Sequence, residues 1–147
     1  MSNQDPGAPP SRVPKPAPLV TEDSAVFWDA ARAGRLVAQR CGSCGRLRHP
    51  PRPMCPDCHS LEVEVADLSG RGTVHSFAIL HHPRHPAFDY PVLVALVDLD
   101  EGVRVVSNLV RIEPADVEIG LAVEVEFEAR GDGAVPVFRP SAAGARA

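Results

Sequence analysis

The chain has no apolar run long enough to cross a bilayer, a span that takes roughly 20 residues, which excludes an integral helical membrane protein. Its opening segment, MSNQDPGAPPSRVPKPAPLV, lacks the apolar core of a secretion signal. A cytoplasmic protein is therefore expected, in a compartment that keeps thiols reduced. Stacking aromatics are scarce, with one Trp and one Tyr in 147 residues, and a basic excess is missing. Fifteen Lys and Arg against nineteen Asp and Glu leave a net charge of −4. Both shortages argue against a dedicated nucleic-acid binder. Acid is absent locally as well: from Ala30 to Pro56 there is no Asp or Glu, but there are Arg32, Arg35, Arg40, Arg46, Arg48 and Arg52. No internal repeat is visible, and no long helical pattern follows Gly34.

What is present suits one ordinary domain or two small fused units, since 44% of the residues are hydrophobic. Residues 1–19 are rich in Pro, with Ala, Gly and Ser. They offer nothing to bury, so a disordered tail is expected, with a partner-docking arm as the alternative. A helix follows within residues 20–36. Thr21 or Asp23 caps it, acidic side chains lie near its positive end, and it runs to about Ala33. Phe27 and Ala31 share a face, with Trp28 beside them; these aromatics read as core or as docking residues. Gly34 suits the left-handed position after the last turn, and Leu36 follows as its apolar contact.

Beyond a short strand at Leu36–Arg40, the hydrophobic period changes to two. LEVEVADL alternates, and TVHSFAIL, PVLVALVDL, VRVVSNLV, LAVEVEFEA and VPVFRP follow. Gly70-Arg71-Gly72, Asp100-Glu101-Gly102 and Gly131-Asp132-Gly133 read as turns between them. Glu113–Gly120 leaves room for one helical turn at most. The second half is therefore all-β, and a small closed barrel is its economical form, because closure removes exposed strand edges.

All four cysteines fall in two knuckles, Cys41-Gly-Ser-Cys44 and Cys55-Pro-Asp-Cys58. Two intervening residues let both sulfurs of a knuckle face one ion, and four thiolates complete a zinc tetrahedron. Gly42 and Gly45 permit the tight backbone of the first knuckle, and Pro56 stiffens the second. A rubredoxin-like iron site and an unmetallated redox pair use the same residues. His49 and His59 stand nearby, but four cysteines leave them no vacancy. A filled shell has no position for substrate, so the site reads as structural. The surrounding arginines offset the negative charge of a tetrathiolate centre, or form a phosphate-binding surface.

The segment His81-His82-Pro83-Arg84-His85-Pro86, continuing to Pro91, joins two strands. Its prolines make it stiff. Three histidines suggest metal binding or acid–base chemistry, yet no nucleophile and carboxylate accompany them in sequence. Contact with a ligand or partner at a barrel mouth, or simple solvation, accounts for the loop instead. His75 lies within a strand and reads as a barrel residue.

The order of these pieces resembles a known family. Phe27-Trp28 and Gly34-Arg35-Leu36 are followed by Gln39-Arg40-Cys41-Gly42-Ser43-Cys44-Gly45, Pro50-Pro51-Arg52 and Cys55-Pro56-Asp57-Cys58. Next come Gly70-Arg71-Gly72-Thr73-Val74, Ala95-Leu96-Val97-Asp98-Leu99, Ser107-Asn108-Leu109-Val110 and Phe138-Arg139-Pro140. From about Ser24 to Pro140 the chain is similar to the zinc-ribbon and OB-fold proteins long called domain of unknown function family thirty-five. The resemblance implies a mainly β protein in which residues 20–36 form an N-terminal helix, 37–66 a rubredoxin-like zinc ribbon and 67–140 a five-stranded OB barrel. Residues 141–147 would be a disordered C-terminal tail.

The resemblance also implies a non-catalytic subunit of a thiolase-superfamily enzyme (a thiolase, an aldolase of steroid breakdown or an acyltransferase) acting on CoA thioesters; some members are joined to hydratases instead. No catalytic residue is expected in this chain. Zinc would sit on Cys41, Cys44, Cys55 and Cys58, and Phe27 and Trp28 would meet the partner. Arg48, Arg52, His82 and Arg84 are candidate contacts for an acyl-CoA shared with that partner. Two rivals stand beside this reading. One is a single-stranded nucleic-acid module, a use open to both ribbons and OB barrels. The other is an enzyme working through the His81–His85 loop.

Overall fold

The computed structural model describes residues 13–142. One helix precedes two antiparallel sheets. Helix α1, Ala25–Arg32, begins later than the sequence suggests. Ser24, not Thr21 or Asp23, is its N-cap, and it makes no side-chain cap bond. The Ser24 hydroxyl is engaged instead by the Thr21 backbone N–H at 2.9 Å, which ties a turn ahead of the helix. At the other end Gly34 has φ 77°, as expected. Its N–H donates to the Ala31 carbonyl at 3.0 Å, and the Arg35 N–H donates to Ala30 at 2.9 Å. That paired closure satisfies two terminal carbonyls and requires a left-handed residue, which glycine supplies without a Cβ clash.

The first sheet is the ribbon: β1 (Val37–Cys41), β2 (Leu47–Arg48) and β3 (Val63–Asp67), in the order β2-β1-β3. β2 has two residues, too few for any period to show. The alternation of LEVEVADL marks β3, which pairs along β1 from Val37 opposite Asp67 to Cys41 opposite Val63.

The second sheet is the barrel: β4 (Arg71–Leu80), β5 (Val92–Leu99), β6 (Arg104–Asn108), β7 (Ala122–Arg130) and β8 (Gly133–Pro140). The order β6-β5-β4-β7-β8 closes where Leu109 meets Phe138 in a parallel bridge. Its interior follows the period of two: along β5, Leu93, Ala95, Val97 and Leu99 are buried. A single 3-10 turn, Pro114–Asp116, lies between β6 and β7. Asp100-Glu101-Gly102 and Gly131-Asp132-Gly133 are hairpin turns, as expected. Gly70-Arg71-Gly72 is not a hairpin, because it carries the chain from the ribbon sheet into the barrel. A Cβ on Gly72 would strike the Asp98 carbonyl, and one on Gly70 would strike the Val125 side chain. These glycines let the start of β4 lie close against β5 and β7.

One core runs through all three parts. Phe27 and Ala30 of α1, Leu36, Val37 and Ala38 of the ribbon, and Val74, Val97, Val123 and Phe138 of the barrel form a single buried cluster. The barrel continues one residue past its expected end, since Ser141 is buried and its N–H bonds to Ala122 at 3.0 Å. Residues 1–12 and 143–147 of the expected tails lie outside the described residues. From Val13 to Leu19 the chain has neither helix nor strand but is tied to the barrel. Lys15 pairs with Glu128 at 2.8 Å, and Arg130 donates to the Pro16 carbonyl at 3.3 Å. Among the described residues no helix is long and apolar enough to cross a membrane.

Candidate metal centre and neighbouring clefts

The two knuckles are built alike. Cys41 ends β1, its N–H accepted by the Arg46 carbonyl at 2.9 Å, while the Gly45 N–H returns to Cys41 at 3.0 Å. In the second knuckle the Cys55 N–H bonds to Ser60 at 2.9 Å and the His59 N–H returns to Cys55 at 3.0 Å. Each loop therefore turns through a left-handed residue just after its second cysteine: Gly45 at φ 76° and His59 at φ 61°. The result brings the four sulfurs within 4.8 Å of one another, an arrangement able to hold a metal ion. Cys41 Sγ lies 3.5 Å from Cys58 Sγ, and Cys44 Sγ lies 3.7 Å from Cys55 Sγ. Cys41 and Cys55 are buried, and Cys44 and Cys58 face outward.

The backbone is arranged for thiolates. N–H groups of Cys44 and then Ser43 draw the Cys41 thiol down to about 6, and those of Cys58 and Asp57 lower Cys55. Cys58 goes the other way: the Ser60 N–H lowers it, but the Cys41 sulfur, burial and the remaining cysteines outweigh that and push it up to about 11. Crowded sulfurs cannot all ionise without a cation between them. Arg46 is the arginine that answers this charge. It pairs with Asp57, and after Asp57 the Cys55 and Cys44 thiolates further favour its charged form.

The candidate ligand contacts divide. Arg48 is buried at 7% exposure, its Nε donating to Gln39 at 2.8 Å and Nη2 to the Arg52 carbonyl at 3.2 Å. Gln39 also accepts the Arg52 N–H at 2.9 Å, so this network braces the Pro50–Arg52 turn. Arg48 and Arg52 border one cleft between ribbon and barrel, of about 380 Å³. His82 and Arg84 do not line it. They sit on the exposed loop between β4 and β5, where Arg84 stacks over Tyr90 at 5.6 Å. That loop is braced from within: Tyr90 Oη accepts the His85 N–H at 2.8 Å and donates to the Pro83 carbonyl at 3.1 Å.

Phe27 and Trp28 also part company. Phe27 is buried at 8% exposure, so it packs this chain's own core, because β8 and the ribbon meet over it. Trp28 is half-buried, meets Phe27 edge-on at 4.9 Å, and keeps a face at the surface. It borders an apolar groove of about 310 Å³ with Val105, Val137 and Phe138, a feature that no local sequence signal marks. Sequence reasoning also missed Arg104. It is bound to Asp98 at 2.6 Å and lies across the cleft from Arg48, reached only through the β5–β6 hairpin.

Comparison with known proteins places this architecture. Residues 28–64 match the ChsH2 rubredoxin-like zinc ribbon domain, and residues 65–128 match the ChsH2 C-terminal OB-fold domain. The chain belongs to this family of zinc-ribbon and OB-fold proteins. It is 47% identical to the probable enoyl-CoA hydratase alpha subunit of Thermomonospora curvata over 86% of this chain, and spans 40% of that relative's length. It is 31% identical to the benzoylsuccinyl-CoA thiolase subunit BbsA of Thauera aromatica, covering 68% of this chain and 71% of BbsA. Among solved structures, a chain of the Ltp2-ChsH2(DUF35) aldolase superposes with a TM-score of 0.80 at 47% identity, covering 84% of this chain and 98% of that one.

Proposed function

We propose that this chain is a non-catalytic accessory subunit of a thiolase-superfamily enzyme acting on CoA thioesters, with acyl-CoA shared between the two. The observation that carries it is family membership joined to a closed thiolate centre. Relatives are named as subunits of a thiolase, a hydratase and an aldolase complex, while this chain commits all four cysteines to one metal site. The ion is zinc. A tetrahedron with metal–sulfur bonds of about 2.3 Å has sulfurs about 3.8 Å apart, close to the 3.5 and 3.7 Å seen here. Zinc so held ties the knuckles together and leaves no position for substrate. Four free thiols at such a centre suit the reducing cytoplasm.

The partner's docking residue on this chain is Trp28, since large half-exposed aromatics anchor interfaces. Co-expression with a thiolase-like enzyme of the same organism, read by size exclusion and activity, tests the reading. A complex is expected, with the partner gaining activity or solubility. Trp28→Ala should weaken it while circular dichroism stays unchanged. Phe27→Ala, by contrast, should destabilise the fold by about 3–5 kcal/mol. If candidate enzymes are fully active alone and never co-elute with this chain, the accessory role is wrong.

A further inference from the structure

Strand β3 is a free edge of the ribbon sheet, since the order β2-β1-β3 leaves one of its sides without a neighbouring strand. The ladder decides which backbone groups face that side. The Gly42 N–H donates to the Glu62 carbonyl at 2.9 Å, and the Leu68 N–H donates to the Leu36 carbonyl at 2.9 Å. Hydrogen-bonded pairs alternate along an antiparallel ladder. The even-numbered residues of β3 therefore bond to β1, and Val63, Val65 and Asp67 turn their N–H and C=O groups to the open side. Natural edges are blunted by Lys, Pro, a bulge or a covering segment. Here residues 61–67 hold no Lys or Pro, and the register with β1 is unbroken. Leu61, Val63 and Val65 are 73%, 42% and 49% exposed.

The side chains divide in the same way. On one face Val63 and Val65 line a shallow groove with Val37 of β1 and with Asp23, Val26 and Phe27 at the start of α1. On the other face stand Glu62 and Glu64. No ion pair engages either among the described residues; the Ser43 hydroxyl reaches Glu62 at 3.4 Å. Arg40 stands opposite Glu64 on β1, away from the open side. Asp67 is held by Arg35 at 2.6 Å. A strand added at the edge thus meets apolar residues on one face and acidic ones on the other. A second copy of this chain fits poorly. Antiparallel registers that set Leu61, Val63 and Val65 against one another also set Glu62 and Glu64 against one another, and like charges directly opposite are destabilising.

We propose that β3 is a docking edge for an extended segment of another protein, in which apolar residues alternate with Lys or Arg. The segment continues the ribbon sheet as a further strand. Its apolar residues exchange backbone hydrogen bonds with Val63 and Val65 and pack toward Val26, while its cations meet Glu62 and Glu64. Main-chain bonds supply affinity, and the alternate side chains supply the choice of partner. Trp28 lies about 200° from Val26 round α1, so this edge is separate from the Trp28 surface and does not depend on the accessory role.

The metal-loaded full chain is titrated with a fluorescein-labelled, acetylated peptide, Lys-Val-Lys-Val-Lys-Val-Lys, followed by anisotropy, and amide exchange is measured with and without it. Saturable binding is expected, with the Val63 and Val65 amides exchanging at least tenfold more slowly in the complex. A peptide with Glu in place of Lys should not bind, nor should one with Pro in place of the central Val. Val65→Pro removes a donor on the open side only, where an edge strand tolerates proline, and should weaken binding at least tenfold. Glu64→Lys alters an exposed side chain and should do the same. Circular dichroism and zinc content confirm that both variants are folded. Absence of binding to the folded wild-type chain overturns the proposal, as does undiminished binding to either folded variant or equal binding of the Glu peptide. Binding without added protection at Val63 and Val65 would be a charge contact elsewhere on this acidic chain, and overturns it too. Protection of these amides in the free chain that is lost on dilution would assign the edge to a second copy, with the same result.

Discussion

His59 and Gly45 hold the same place in the two knuckles, yet only one is a glycine. A left-handed backbone costs an ordinary residue roughly 1–2 kcal/mol, and His59 bears it at φ 61° with an exposed side chain. Histidine tolerates this region better than most residues, and the His59 N–H bond to the Cys55 carbonyl holds it there. Replacing His59 by glycine relieves the strain but loosens the unfolded chain by about 0.4–1 kcal/mol. A net gain of about 0.5–1 kcal/mol is expected from these two terms, read as a higher denaturation midpoint with metal content unchanged. A loss of metal in His59→Gly would show that the imidazole supports the site.

At the scale of elements, the stretch from Val13 to Pro18 behaves as a strap. Lys15 pairs with Glu128 and lies over the Phe88 ring at 5.4 Å, and Arg130 faces the same ring at 5.5 Å. Strap, β7 and the histidine loop thus meet at one clasp. Burial alone would raise the Glu128 carboxyl, but hydrogen bonds from Lys15 and Arg130 outweigh it and hold it below its usual value. Because the folded pKa is depressed, the clasp contributes its stability above the ordinary carboxylate range and loses it as pH falls through the lowered value. A partly exposed pair of this kind is worth at most about 1 kcal/mol. Deleting residues 1–12 should therefore leave Tm unchanged, and deleting 1–19 should lower it by a few degrees at pH 7. That difference should shrink as pH falls below the usual carboxylate range. A gap that does not change with pH would assign the effect to packing of the prolines instead. The sequence showed only that this stretch has no core to contribute; its anchorage depends on Glu128 and Arg130, more than a hundred residues away.

For the whole molecule, the single core decides how unfolding proceeds. Leu36, Val37 and Ala38 of the ribbon are packed into the barrel's own cluster, so the two cannot melt independently. Metal binding to such a site is folding free energy. Purified protein should carry about one zinc per chain, and a chelator should lower Tm as seen by far-ultraviolet dichroism and by Trp28 fluorescence together. Cys44→Ser should mimic the chelator. Two separate transitions, with only the first sensitive to the chelator, would show that ribbon and barrel are energetically distinct.

Local chemistry was enough for much of this. Two short-spaced cysteine pairs predict a thiolate centre because two residues between ligands already orient both sulfurs. Gly34 predicts a helix end because only glycine sits there without strain, and alternation predicts the barrel strands because a pleated strand buries every second side chain. What remained belongs to contacts between segments distant in the chain. The sequence cannot say that Phe27 lies under β8 and the ribbon while Trp28 beside it stays at the surface, because a helix shows its faces but not its neighbours. Nor can it say that Gly70 and Gly72 lie against β7 and β5 where the chain enters the barrel, since a hairpin uses the same residues. Arg48 reads as one more surface cation in an acid-free window. Only the tertiary structure buries it, leaves one of its nitrogens without a partner among the described residues, and places Arg104 on the same cleft.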